Sequence, residues 1–578
     1  MSLPPLRLRR RPVPESGPWP AAVPPLLRRI YAARGVLRPQ DAELKLARLA
    51  PPVGLGGLEA AVELLREAIA RDRHIVVVGD FDCDGATGTV VAVHGLQRLG
   101  ARRVSYRVPH RLAHGYGLSP ALVEDLQALQ PDLVLTVDSG IACHAGVAAA
   151  RARGWRVLVS DHHLPGPSLP EADAIVNPNL PGAGFPSKAL AGVGVVFYLL
   201  LALRQRLRAE GVFAAQPEPD LGELLDLVAV GTVADLVPLD YNNRLLVAAG
   251  LRRLREGRAR PGLKALVELS GREPAMLSTS DIGFGLAPRL NAAGRLEDMA
   301  LGIECLLCEE PGRARELAMV LDRINAERRE LQARMVEQAE QLAVSALDAR
   351  AGLPDLVCVH DPDWHAGVVG LVASKLKERW HRPVIAFGGE EGGDGRLKGS
   401  ARSIPGLHIR DALAAVDARH PGLIERFGGH AMAAGLSLAP ERLDAFAEAM
   451  RLEVGQRLSE EQRLRELWTD GELAPDEISR AVAEQLRLAG PWGQGFPEPV
   501  FDGEFEVLEA REVGRGHLRL RLRHRAGGSV LAAIHFGGWT GEPPSGRLRL
   551  AYQLDLDDWG GRRGVQLLVR HLEPAPMV

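Results

Sequence analysis

Cysteine, aromatic rings and any strong charge imbalance are scarce in this chain of 578 residues. Five cysteines cannot staple a fold of this size, and they point to a reducing, cytoplasmic setting. Aromatics make up only 4% of the chain, so most are needed by the core. A net charge of −3 does not advertise a polyanion binder, although binding follows the local patch rather than the sum. No apolar run approaches the ~20 residues of a membrane span, and no signal-peptide core follows the N-terminus, so no membrane partner is expected. What remains is ordinary for a globular protein, at 46% hydrophobic and 25% charged residues. The length exceeds what one core organises, so three or four domains are expected.

Residues 1–40 open with Arg7, Arg9, Arg10 and Arg11 interrupted by prolines, which reads as a flexible, solvated basic arm. From about 41 to 300, apolar strand-like runs alternate with amphipathic stretches, as a parallel α/β sheet requires. The predicted strands are His74–Gly79, Val104–Val108, Leu133–Val137, Arg156–Ser160 and Ala174–Val176, with helices such as Leu58–Ala70 and Thr87–Leu99 between them. Cys305 and Cys308 form a lone CxxC whose intervening leucines predict a buried helix turn. Within 301–350, apolar residues recur at helical spacing, with no Pro or Gly from Arg313 to Arg350, which predicts one long connecting helix. A second α/β unit spans 351–460, beginning with the strand Leu356–His360. The stretch 461–578 ends in short strands, Val513–Arg525, Ser529–Phe536, Arg547–Leu554 and Val565–His571, that predict a small antiparallel barrel.

Chemistry concentrates where strands end. Asp80, Asp82 and Asp84 alternate just after the first strand, Asp138 ends another, and Asp161-His162-His163 ends a third. Asp235 follows the apolar run Val228–Ala234, which is read as the same local setting. The acids superficially match half an EF-hand loop, but Val91 stands where the bidentate Glu is required. In an open parallel sheet, ligands gather beyond the carboxyl ends of strands. So many carboxylates in one cleft repel unless cations neutralise them. Oxygen donors with an imidazole suit Mn²⁺ or Mg²⁺ before Zn²⁺. Two ions ~3.5–4 Å apart, bridged by a shared carboxylate, would balance the charge and serve phosphate-ester hydrolysis. Each Asp taken alone is equally well read as a helix N-cap.

The triplet, the acids before it and Gly231-Thr232-Val233-Ala234-Asp235 after it resemble the DHH phosphoesterase superfamily. Within it the chain is similar to single-strand-specific 5′→3′ DNA exonucleases. That likeness rests also on the segments Ala287–Arg295, Gly399–Ser403 and Gly428–Gly435. It implies a parallel-sheet DHH domain over 41–300, a DHHA1 domain over 351–460 closing over the site, and an OB-fold-like barrel over 461–578. It further implies that Asp82, Asp84, Asp138, His162 and Asp235 ligate two Mn²⁺ or Mg²⁺ ions, with Asp138 as bridge. Asp80 would sit at the edge of that site, and His163 would stabilise the transition state or protonate the leaving oxygen. Cys83, between two of these ligands, raises the expectation of oxidation sensitivity. A single-strand-binding protein and a RecQ-type helicase are the partners the resemblance implies, for a monomeric enzyme of repair and recombination.

A 5′-exonuclease needs cationic contacts for phosphate. Arg111, in the loop after Val104–Val108, is a bidentate clamp candidate. Arg289, Asn291, Arg295, Ser400, Arg402 and His430 complete the set of expected substrate contacts, each with a structural ion pair or packing role as the plain alternative. In the barrel, Arg519, Arg521 and Arg523 alternate with Leu518, Leu520 and Leu522, and Arg515 precedes them. The row suits a backbone track on single-stranded DNA or, alternatively, a solvated edge. Phe536, Trp539 and Trp559 are base-stacking candidates. A phosphodiesterase for short oligonucleotides or cyclic dinucleotides, and a nuclease-inactive DNA-binding scaffold, remain open as alternatives. The long helix and basic barrel favour a polymer substrate, and the complete set of acids favours cleavage.

Overall fold

The computed structural model describes residues 6–111, 113–347, 353–389, 395–514, 516–557 and 563–575, with the side chains of 344–347 left aside. The chain forms two compact units: 1–9 with 325–468, and 10–324 with 469–578. No helix among the described residues is long and apolar enough to cross a membrane.

The N-terminal segment is not a free arm. Leu6–Arg10 (β1) pairs with a strand at Arg465–Thr469, and Arg10 grips the buried Asp502 through Nε at 3.0 Å and Nη2 at 2.6 Å. Arg9 pairs with Glu466 at 3.1 Å. The acids that order this segment lie more than 450 residues away, out of reach of any local reading. The following helix, Pro25–Ala32 (α1), buries Leu26, Leu27 and Ile30.

The catalytic sheet is parallel, in the order β3-β2-β4-β5-β6, from Ile75–Val78 (β2), Val104–Arg107 (β3), Leu133–Val137 (β4), Arg156–Ser160 (β5) and Ala174–Val176 (β6). Its strands β2 and β4 are wholly buried and mostly Val, Ile and Leu because helices cover both faces. The helix after β2 is Cys83–Arg98 (α2), beginning earlier than the predicted Thr87. Gly192–Ala209 (α3), Leu225–Ala234 (α4), Ala287–Leu296 (α5) and Ala300–Leu307 (α6) follow. Cys305 is buried in α6, as the CxxC reading expects.

The helix Pro311–Leu347 (α7) is continuous over 37 residues; 348–350, also predicted helical, lie outside the described residues. In the 325–468 unit, Val357–His365 (β7), Val384–Gly389 (β8), Leu397–Arg402 (β9), Arg426–Gly429 (β10) and Ala433–Leu438 (β11) form a mixed sheet ordered β10-β11-β9-β8-β7. Val369–Trp380 (α8) crosses over between β7 and β8, and the unit has its own core around Phe387 and Phe446. The pairing partner of β1, Arg465–Thr469, is β12.

The C-terminal barrel of Phe501–Val513 (β13), His517–His524 (β14), Leu531–His535 (β15), Arg547–Asp557 (β16) and Gly564–Pro574 (β17) is closed in the order β13-β14-β15-β17-β16. The first strand, β13, carries no clear sequence alternation. A bulge between Val507 and Glu509 breaks its period-two pattern, and Val513 belongs to it rather than to the strand predicted over Val513–Arg525. The barrel shares one continuous hydrophobic cluster with the catalytic sheet, running through Leu239, Trp492, Phe496, Phe501 and Leu520. Arg34 and Asp470, both 1% exposed, pair across that junction at 2.7 Å.

Candidate metal centre and phosphate contacts

Parallel register sets Val78 beside Thr136 and Val137 beside Ser160, so β2, β4 and β5 leave the sheet along one edge. Asp80, Asp138 and Asp161 emerge there and are buried. Asp138 takes up a left-handed backbone, φ 61°, uncommon for a residue with a side chain. Asp235 arrives differently from the sequence expectation. Val228–Ala234 is the end of α4, not a strand, and Asp235 is its C-terminal cap. A short, wholly buried apolar run carries no periodicity that separates strand from helix.

Asp82 caps α2, accepting from Gly85 N at 3.0 Å, so the plain N-cap reading holds for this residue alongside its place in the cluster. Asp84, one turn in, accepts from Gly192 N at 2.6 Å and Val193 N at 3.0 Å, at the amino end of α3. A Cβ on Gly192 would lie 2.5 Å from the Asp138 Cβ, so glycine is what lets α3 approach the site.

These elements bring together all five expected ligands. His162 Nε2 lies 3.1 Å from Asp138 Oδ1 and 3.4 Å from Asp235 Oδ2. Donor atoms of Asp80, Asp82 and Asp138 fall within 4.8 Å of one another, as do those of Asp84, His162 and Asp235, and those of Asp138, His162 and His163. Asp138 and His162 each belong to two of these groups, the arrangement a bridging ligand requires. Burial, then mutual repulsion among the acids, raises the pKa of Asp80, Asp138 and Asp235, and takes Asp84 to about 7. Buried oxygens of Asp80, Asp138 and Asp235 accept no hydrogen bond of acceptable geometry from the described residues. Unsatisfied, mutually repelling carboxylates beside an imidazole are a donor set that divalent cations complete. Cys83 is 1% exposed, and burial with the Asp82 and Asp84 charges pushes its thiol pKa up.

His163 is oriented by a residue that the sequence reading did not assign. Burial alone would raise the Asp161 pKa, but hydrogen bonding and charge from His163 hold it below the ordinary range. Its Oδ1 accepts from His162 N, His163 N and His163 Nδ1, and its Oδ2 from Ile141 N. Asn177 and Asn179 donate to the carbonyls of His163 and His162 at 2.8 and 2.7 Å. Tyr116, in the Arg111 loop, donates to the Asp138 carbonyl at 3.1 Å and sits 3.4 Å from the His163 ring. Polar residues standing well away from a motif in sequence carry no signal of such support.

The structure divides the expected phosphate contacts. Arg111 lies beside the acids, its guanidinium 3.8 Å over the Phe81 ring and its Nε bonded to Gly294 O. Burial lowers its pKa, against the pull of Asp80 and Asp82. Arg289 bonds Asp322 at 2.8 Å and the carbonyls of Gly285 and Leu269, the ion pair its plain alternative expects. Asn291 accepts from Cys83 N at 2.8 Å through its amide oxygen, bracing the ligand loop. Arg295 is half-buried in the last turn of α5.

In the 325–468 unit, Arg402 bonds Ser374 and Ser400 at 3.2 and 2.8 Å. Burial lowers its pKa with no carboxylate opposing, which leaves a guanidinium suited to an anion. A Cβ on Gly370 would meet this pair at 2.7 and 2.9 Å. His430 is exposed in the β10–β11 turn.

On the barrel, Leu518, Leu520 and Leu522 point inward as predicted, with arginines outside. The row is not uniformly cationic, however. Glu506 faces Arg523 at 3.4 Å and Glu509 faces Arg521 at 3.5 Å, from the strand the sequence concealed. Further along, Arg519 pairs in register with Arg511, which lies 3.8 Å from Glu509. Phe536 is 66% exposed beside His517, Trp539 is partly buried, and Arg515 and Trp559 lie outside the described residues.

A parallel sheet with this acid–histidine edge defines a DHH-type phosphoesterase. Residues 74–232 match the DHH family N-terminal domain, 341–456 the DHHA1 domain and 469–571 the RecJ OB domain. Over 573 residues the chain is 52% identical to the single-stranded-DNA-specific exonuclease RecJ of Dickeya dadantii, covering 98% of this chain and 99% of that one. It is 49% identical over 574 residues to the Escherichia coli protein of the same name, with the same coverage. The crystal structure of RecJ in complex with Mn²⁺ from Thermus thermophilus superposes with TM-score 0.79 at 31% identity, over 99% of this chain and 80% of that one. The chain belongs to the RecJ family.

Proposed function

We infer that this protein is a metal-dependent exonuclease that hydrolyses single-stranded DNA from its 5′ end and releases 5′-mononucleotides. The observation that carries this reading is the buried cluster of Asp80, Asp82, Asp84, Asp138, His162 and Asp235, whose unsatisfied oxygens need cationic partners.

Asp82, Asp84, Asp138, His162 and Asp235 hold two Mn²⁺ or Mg²⁺ ions, and Asp80 closes the edge of the set. Ions held by these residues would supply an activated water and neutralise charge developing at phosphorus. Arg111 clamps a non-bridging phosphate oxygen, and its bond to Gly294 O fixes its reach. His163, its proton held by Asp161, stabilises the transition state and donates toward the leaving oxygen. Within the 325–468 unit, Arg402 with Ser400 and His430 at its exposed turn contact phosphate, and Arg295 is a further contact in the other unit. Arg519, with Arg511 beside it, anchors the strand on the barrel. The protein acts in the cytoplasm as a monomer in repair and recombination, with a single-strand-binding protein and a RecQ-type helicase as partners.

The test is internally labelled single-stranded DNA with and without Mn²⁺, beside duplex and 5′-blocked controls. Mn²⁺-dependent shortening of the free single strand from its 5′ end is expected. Binding without cleavage would make the protein a scaffold, and cleavage confined to strands of a few nucleotides would make it a small-oligonucleotide enzyme.

A further inference from the structure

The catalytic sheet has one open edge that the chemistry above does not use. Ile75 N and Gly79 N donate to the carbonyls of Arg103 and Arg107, so the odd-numbered residues of β3 direct their backbone to β2. Val104 and Tyr106 therefore direct theirs outward, and β3 has no second strand partner among the described residues. Beside this edge lies a groove of about 750 Å³, between β3 on one side and α2 and α6 on the other. Val93, Tyr106 and Leu307 give it an apolar floor, and His94 lines it with a buried Nε2 that has no hydrogen-bond partner among the described residues. Its α6 side presents Asp298 and Glu304, both exposed.

We propose that this groove is a docking site for an extended segment of a partner protein, added as a strand to β3 and carrying a lysine or arginine that meets Asp298 and Glu304. An added strand lies ~4.7–4.9 Å from its neighbour and takes its affinity from main-chain hydrogen bonds, its specificity from alternate side chains. An edge strand facing a helix across an apolar floor supplies both. Arg107, His110 and His114 also line the groove, but Asp298 and Glu304 stand together on its helix wall, where two carboxylates repel a phosphate backbone and attract a cationic peptide side chain. His110 and His114 of this lining flank Arg111 in the chain.

The experiment pans phage-displayed random octapeptides on the full-length protein, with counter-selection against Glu304→Lys. Glu304 is exposed on α6 and outside the catalytic machinery, and unchanged cleavage of a short single strand by the variant verifies that it is folded. Enriched peptides are expected to alternate apolar residues with a lysine or arginine in fixed register. Made synthetically, the best of them should bind Glu304→Lys about tenfold more weakly and slow amide exchange at 104–108 in the wild-type chain. Failure to enrich any sequence over the counter-selection overturns the proposal. Equal binding to both proteins, or unaltered exchange at 104–108, overturns it as well. So does finding that oligo-dT, rather than peptide, protects 104–108.

Discussion

Asp161 Oδ1 accepts a 2.7 Å hydrogen bond from His163 Nδ1, and the carboxylate is 1% exposed. Burial alone would lower the His163 pKa, but the Asp161 bond and charge raise it, so the imidazolium persists to higher pH than an ordinary histidine. Asp161→Asn keeps the shape and removes the charge. Its alkaline limb in kcat against pH should move to lower pH, with activity down about 10–100-fold. An unmoved limb would show that the His163 proton is not the one that titrates.

Asp138→Ala and His162→Ala should abolish cleavage while leaving the fold intact, since the site repels itself without cations. In a thermal melt, Mn²⁺ at ~100 times its Kd should stabilise the wild-type chain by about 2.7 kcal/mol. Both variants should lose most of that gain, and a full Mn²⁺ response in Asp138→Ala would remove Asp138 from the ligand set.

Gly192→Ala places a methyl 2.5 Å from the Asp138 Cβ. Overpacking of this kind costs about 1–3 kcal/mol. A lowered Tm together with weakened Mn²⁺ binding is expected. A fall in Tm with metal affinity unchanged would mean that α3 shifts away as a body.

The barrel arginines should differ among themselves. Arg519→Ala should reduce the magnitude of the log–log salt slope for single-strand binding by about 0.7. Arg523→Ala, already opposed by Glu506, should change it little. Equal effects would restore a continuous arginine track.

Asp470→Ala strands the buried Arg34 guanidinium at the junction between barrel and catalytic sheet. Breaking a buried pair costs about 3–5 kcal/mol, and the melt should remain a single transition for this unit. Deleting the chain from Pro491 onward should accordingly give insoluble protein. A soluble truncation active on short strands would contradict the shared core.

Much of this was legible in the chain itself, for identifiable reasons. Leu133–Val137, Arg156–Ser160 and Ala174–Val176 stand in the structure with the bounds their composition predicts, because strands covered on both faces are mostly apolar. The acids and histidines converge because parallel register sends their strands out at one edge. What stayed hidden depended on distant partners or broken periods. Asp322 claims Arg289, Glu506 and Glu509 oppose the barrel row, and Glu466 and Asp502 pin the N-terminal strand. Each of these partners lies on an element whose neighbour is set by tertiary packing alone.

Asp138 holds a left-handed backbone that glycine would occupy without strain, inside a ring of acids that repel one another. Any redesign guided by folding free energy alone would converge on glycine at 138 and neutral side chains at 80, 84 and 235. Such a chain would be harder to melt and inert. A left-handed backbone and a set of repelling charges in this unit coincide with the residues it can least spare, so thermostability selected without an activity screen would select against the enzyme.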